Sequence, residues 1–351
     1  MTTLNRREFV SLAGAASALT LSSTSALAAS APSTGTAAID PLLLVHPDLR
    51  PALPQIQKYT IDFSPHALSA ARKSEFGPAP LPQPEWVLKT IPVRGGPDVG
   101  IYVVNAKKTD KPRPAILHMH GGGFITGTAK GSLHAGQELA LAQDCVVVTV
   151  DYRLAPETTY VGSIEDNYAA LKWLFDNADE LGVDRKRIAV TGESAGGGHA
   201  ALLAITARDR GEVPLAFQAL VYPMLDDRTG STREPPSHIG TLLWTRASNR
   251  FGWSSFLGVP AGSERVPKAG VPARIENLRN LPPTFIGVGS LDLFVQEDIE
   301  YANRLIEAGV PAELYVVPGA FHGFDMVPVK VTQDFRARFN RALMLALQNP
   351  A

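Results

Sequence analysis

The sequence predicts an α/β fold: a mostly parallel central sheet, helices on both of its faces, and a helical cap over one edge. Three observations carry this. Apolar, β-branched runs alternate with amphipathic stretches from Trp86 to the end of the chain, the rhythm of strand, helix, strand units. The 351 residues are 45% hydrophobic, enough for one large core or two modest ones, and the rhythm favours one. The rhythm breaks once, for roughly sixty residues between Tyr222 and Thr284 that hold Leu242, Leu243, Trp244, Phe251, Trp253, Phe256 and Leu257.

In chain order, residues 1–28 are set aside as an export leader. Arg6-Arg7-Glu8-Phe9-Val10 precedes a mildly apolar run and Ala26-Leu27-Ala28, which resembles a twin-arginine signal. It departs from that pattern at Asn5, where Ser is usual, and at Ser11, where Lys is usual. Cleavage is expected near Ala28, with the export machinery as partner and a periplasmic or secreted mature chain. The run is short and carries Gly14 and several Ser and Thr, so no stable membrane anchor is expected. Residues 29–84, rich in proline with short helical pieces at Leu42 to Leu53 and Pro65 to Lys73, read as an N-terminal cap segment. Residues 85–351 read as the main domain with a cap insertion at about 225–282.

Within that domain, Trp86 to Val93 and Val99 to Asn105 flank the turn Gly95-Gly96-Pro97-Asp98, an antiparallel opening. Strands follow at Ala115 to His120, Cys145 to Val150, Ile188 to Thr191, Phe217 to Tyr222, Thr284 to Val288 and Glu313 to Val317. Helices are expected near Leu133 to Gln143, Ile164 to Asn177, after Ser194, at Phe294 to Ala308 and at Thr332 to Gln348. The insertion leaves the carboxyl end of a strand and should stand over the crevice where ligands bind in such sheets. Cys145, the only cysteine, sits in an apolar run and reads as a buried small hydrophobe.

The chemistry centres on Gly192-Glu193-Ser194-Ala195-Gly196, where an apolar run meets a helix former. A serine flanked by glycines between strand and helix is a nucleophile elbow, strained and expected to expose its hydroxyl above the sheet. A hydroxyl needs a base. Of eight histidines, only His199, His238 and His322 follow Ser194. His199 is turned away by helix geometry and His238 lies in the cap, which leaves His322 on its glycine-flanked loop. The acid that orients the imidazole is Asp292, just past the strand Thr284 to Val288. Glu297 and Asp298 follow on a helix whose apolar positions Val295, Ile299, Ala302 and Ile306 should leave those acids in water. The loop His120-Gly121-Gly122-Gly123-Phe124 can bring backbone N–H groups to an oxyanion, with Gly122, Gly123 and Ala195 as donors. His118 and His120 share a face at period two, yet no further ligand cluster accompanies them, so no metal is expected; a structural hydrogen bond suits His120 better.

These residues, with Asp151-Tyr152-Arg153-Leu154-Ala155-Pro156-Glu157, Gly289-Ser290-Leu291-Asp292 and His322-Gly323-Phe324, resemble the bacterial hormone-sensitive-lipase family of α/β-hydrolases over about residues 85–345. The resemblance implies carboxylester hydrolysis without a cofactor and a cap over the acyl pocket. It assigns Ser194, Asp292 and His322 to the triad and Gly122, Gly123 and Ala195 to the oxyanion hole, with Asp151 to Glu157 as support beneath that loop. Glu193 stands where Asp is commonest in the family and Gly198 where Asn is common.

With a net charge of −1 and scattered Lys and Arg, a nucleic-acid partner is not expected. The expected reaction is serine hydrolysis of short- to medium-chain acyl esters, small molecules, through an acyl-enzyme. A lactone, carbamate or acetyl ester would suit the same triad. Plant gibberellin receptors, ligand-binding proteins, also resemble the family but lack a working triad histidine, which this chain retains.

Overall fold

A computed structural model describes residues 40–73 and 77–348. The expected leader and its cleavage site lie outside the described residues, as does the segment 29–39. Met1–Asp40 and Pro41–Ala351 form separate units, and the architecture belongs to the second.

Eight strands form one sheet: β1 (Trp86–Ile91), β2 (Val99–Val104), β3 (Arg113–Met119), β4 (Val146–Asp151), β5 (Val183–Glu193), β6 (Phe217–Val221), β7 (Thr284–Gly289) and β8 (Ala312–Val317). Their order is β1-β2-β4-β3-β5-β6-β7-β8. Pairs β1/β2 and β2/β4 are antiparallel and all others parallel, as the opening hairpin and later alternation require. Alternate residues enter opposite cores: Leu117, Val148, Val190 and Ile286 pack with one set, Ile116, Val147, Ala189 and Phe285 with the other.

Nine α-helices are described: α1 (Leu53–Tyr59), α2 (Pro65–Ala71), α3 (Leu133–Gln143), α4 (Tyr160–Asp176), α5 (Ala178–Leu181), α6 (Ala195–Arg210), α7 (Arg246–Leu257), α8 (Val295–Glu307) and α9 (Lys330–Gln348). Leu171 and Leu174 of α4, Leu203 of α6 and Leu305 of α8 join the first core, while Leu133 of α3 and Phe335 and Leu343 of α9 join the second. Both faces are therefore covered, as a largely parallel sheet demands. A third apolar cluster joins Phe124, Leu202 and Phe294 to Trp244, Trp253, Phe256 and Leu257 of the long insertion.

Three expectations need correction. The piece expected helical from Leu42 to Leu53 is two 3-10 turns, Pro41–Leu44 and Pro47–Ala52, before α1 begins, because its prolines remove donors from a continuous helix. The fifth strand starts at Val183, well before Ile188, with a register shift against β3; the polar run Asp184-Arg185-Lys186-Arg187 hid it. The buried stripe of α8 is also different. Val295, Glu297, Asp298, Tyr301, Ala302 and Leu305 face inward, whereas Ile299 and Ile306 are exposed.

That rotation follows from what α8 meets. The start of the insertion presents the Leu225 and Asp226 amides to Glu297 Oε1 at 2.7 and 3.1 Å, and Thr229 donates its hydroxyl to Oε2. These donors require a buried acceptor, and Glu297 supplies it. Beside this root lies a cavity of about 230 Å³ lined by Asp226, Arg228, Ala273, Glu297, Glu300, Tyr301 and Arg304. The loop holds its own ion pairs, Arg228 with Asp226 at 2.8 Å and Arg274 with Asp227 at 2.6 Å. Cys145 is buried and free, and burial pushes its thiol up to about 12. Among the described residues no helix is long and apolar enough to cross a membrane.

Candidate active site

The chain switches direction across the sheet between β3 and β5, which are neighbours: β4 was laid on one side of β3 and the chain returns on the other. Crevices at such switch points open at the carboxyl ends of strands. The glycine loop leaves β3 there, and β5 ends there at Glu193, with a single residue between it and α6.

Ser194 occupies that single-residue junction with φ 58° and ψ −120°, a region side-chain-bearing residues avoid at a cost of about 1–3 kcal/mol. Its surroundings hold it. The Ser194 N–H donates to Val221 O at 2.9 Å, while its carbonyl accepts from Gly198 N and Met224 N, each at 3.0 Å. A Cβ on Gly192 would lie 2.4 Å from the carbonyl carbon of Gly196 and 2.5 Å from Met119 O, so the turn closes only on glycine. Gly198 has a similar neighbour, Met224 O, 2.3 Å from any added Cβ. Contrary to the expectation of an exposed hydroxyl, Ser194 is only 6% exposed.

His322 follows β8 and Asp292 follows β7. The imidazole Nε2 lies 3.0 Å from Ser194 Oγ, and Nδ1 lies 2.8 Å from Asp292 Oδ2. Asp292 is fully buried, and its other oxygen accepts from the Phe294 amide at 3.0 Å. With Nδ1–H donating to the carboxylate, Nε2 is left with a lone pair facing the serine hydroxyl. Tyr222, Phe294 and Trp244 surround the imidazole at ring distances of 4.7, 5.2 and 6.4 Å.

The glycine loop lies against this elbow. A Cβ on Gly121 would be 3.0 Å from Glu193 O and 3.6 Å from Ser194 Cβ. Gly122 and Gly123 take φ of +127° and +59°. Among the described residues, the amides of Gly122, Gly123 and Ala195 have no acceptor, so three N–H groups are free beside Ser194. The stretch after β4 supports the loop from below. Tyr152 donates its hydroxyl to His120 O at 2.6 Å, Ala155 N donates to Phe124 O at 2.9 Å, and Arg153 grips buried Asp166. Arg72 of the N-terminal segment adds bonds to Ile125 O and Ala155 O at 2.8 and 2.7 Å.

The other candidates lie elsewhere. His120 Nδ1 donates to Gly121 O at 2.8 Å, and burial brings its pKa down to about 4. His118 Nε2 lies 3.0 Å from Glu193 Oε2, which gives the acid next to Ser194 a partner. His199 is buried among Phe124, Tyr152 and Phe256, away from the serine. Glu297 and Asp298, expected in water, are buried; burial raises both carboxyls well above the ordinary range. Among the described residues no group of three or more His, Cys, Asp and Glu side chains could hold a metal ion.

The two segments read as cap material supply neighbours of the site. Trp244 covers the glycine loop, so close that a Cβ on Gly123 would come 2.0 Å from its Cη2. Residues 60–63 pin that segment: Leu243 N donates to Thr60 Oγ1 at 2.8 Å, Phe63 N to Ser248 Oγ at 3.1 Å, and Phe63 packs on Trp244 at 5.6 Å.

Residues 116–326 match a family of the alpha/beta hydrolase fold. Esterase LipI of Mycobacterium tuberculosis is 38% identical over 213 residues, 60% of this chain and 65% of its own length. Carboxylesterase NlhH of the same species is 32% identical over 287 residues, 78% of this chain and 89% of its own. Among solved structures, a bacterial heroin esterase superposes with a TM-score of 0.76 at 36% identity, over 88% of this chain and 99% of that one. The chain belongs to the α/β-hydrolase family, in its hormone-sensitive-lipase-like branch, and is an enzyme of the carboxylesterase type.

Proposed function

We propose that this chain hydrolyses short- to medium-chain acyl esters, with Ser194 as nucleophile, His322 as general base and Asp292 as its orienting acid. The observation that carries the reading is the unbroken hydrogen-bond chain from Ser194 Oγ through both ring nitrogens of His322 to Asp292. Nε2 takes the hydroxyl proton as Oγ attacks the ester carbonyl; the imidazolium is stabilised by the carboxylate. The carbonyl oxygen becomes an oxyanion facing the amides of Gly122, Gly123 and Ala195. The imidazolium returns its proton to the departing alcohol, and water repeats the cycle on the acyl-enzyme. The close cover of Gly123 by Trp244 supports small acyl groups over long ones.

Covalent labelling by an organophosphonate tests the reading: mass analysis should find one adduct per chain, on Ser194. A chain that takes up no label at that residue would be a binding protein instead. We also propose that the mature protein begins after Ala28 and works in the periplasm or outside the cell. N-terminal sequencing of exported protein should start at Ala29, and an intact Met1 would refute this.

A further inference from the structure

Tyr222 is a node between the three segments that carry Ser194, Asp292 and His322. Its preceding carbonyl, Val221 O, receives the Ser194 N–H. Its own N–H donates to Gly287 O of β7 at 2.7 Å, on the strand that leads to Asp292. Its ring stands at 60° against the His322 imidazole, with centroids 4.7 Å apart. Its hydroxyl donates to Oδ1 of Asp325, three residues beyond His322 on the same loop. This buried tyrosine holds φ at +35°, a strained value that persists only where surroundings over-determine it.

We propose that Tyr222 and Asp325 form a brace that sets the His322 imidazole in line with Ser194; this rests on the triad reading above. The loop carrying His322 is flexible by composition, with Gly319 and Gly323 both at positive φ. Asp292 fixes one ring nitrogen but leaves the ring free to pivot about that bond. The ring of Tyr222 blocks the pivot on its side, and the bond to Asp325 ties the loop to the same tyrosine. Burial and the nearby charge of Asp325 push the phenol ionisation well up, so the hydroxyl stays a donor. Asp325 in turn is held by Arg336, whose Nη2 donates to its carbonyl at 2.9 Å. Tyr222 and Asp325 are positioning residues, since neither is bonded to Ser194 or Asp292.

The test compares the full chain with Tyr222→Phe, Asp325→Ala, Asp325→Asn and the double variant Tyr222→Phe/Asp325→Ala. Turnover is expressed per serine titrated by an organophosphonate, so loss of folded enzyme does not count. Tyr222→Phe and Asp325→Ala should each lower kcat about tenfold with KM within about twofold, the size expected when one charge-assisted bond is lost. The double variant should be no slower than the slower single one, and Asp325→Asn, which keeps an acceptor, should recover most of the loss. Singles with unchanged kcat per titrated serine, or losses that multiply in the double variant, would overturn the brace. A wild-type chain that neither turns over esters nor labels at Ser194 would instead refute the triad reading.

Discussion

Trp244 lies so close to the glycine loop that Gly123 can carry no side chain, its Cβ position being 2.0 Å from the indole Cη2. The indole is also 6.4 Å, ring to ring, from His322. Trp244 of the insertion therefore stands between the glycine loop and the His322 imidazole. Trp244→Ala should raise kcat/KM for octanoyl relative to acetyl esters in a graded chromogenic series, while costing about 3–5 kcal/mol in stability through the cavity left behind. An unchanged chain-length profile would show that another residue sets the limit.

His199 predicts how stability responds to acid. Burial first, and the charge of His120 second, bring its pKa down to about 3, against about 6.5 for an unfolded imidazole. Above about 6.5 neither state binds the proton and the folded state pays nothing. As pH falls from about 6.5 toward about 3, the unfolded chain gains a proton that the folded chain refuses, so stability drops by up to about 1.4 kcal/mol per pH unit. Urea unfolding at pH 7.5 and 5.0 should show a smaller loss for His199→Phe than for wild type. Equal losses would mean the imidazole is charged in the folded state.

Asp298 has the opposite sign. Both carboxylate oxygens are buried without a partner among the described residues, and burial, then the charges of Glu297 and Asp292, raise its pKa well above the ordinary range. Its contribution is full below the unfolded value of about 3.9 and is lost as pH rises toward the folded value. Asp298→Asn removes that titration. Its Tm relative to wild type should rise between pH 5 and pH 8; a gap independent of pH would contradict a neutral, buried carboxyl.

The sheet was legible because its strands are runs such as Val146 to Val150, in which both faces are apolar and no other element fits. Ser194, Asp292 and His322 were legible because chain order and strand ends leave few carboxylates and histidines to choose from, and the structure brings those three into one hydrogen-bonded chain. What escaped depends on contacts between distant segments. The facing of α8 is decided by the Leu225 and Asp226 amides, not by its own apolar spacing. Tyr222 and Asp325 are a hundred residues apart with nothing local to link them, and Thr60 meets Leu243 only once the chain has folded.

The central claim is that Ser194 attacks the ester. Hydrolysis of a chromogenic acetyl ester by wild type and by Ser194→Ala measures it directly. The variant should fold with wild-type Tm to within a few degrees and lose at least about 10⁴-fold in kcat. A Ser194→Ala protein that keeps wild-type turnover would contradict it.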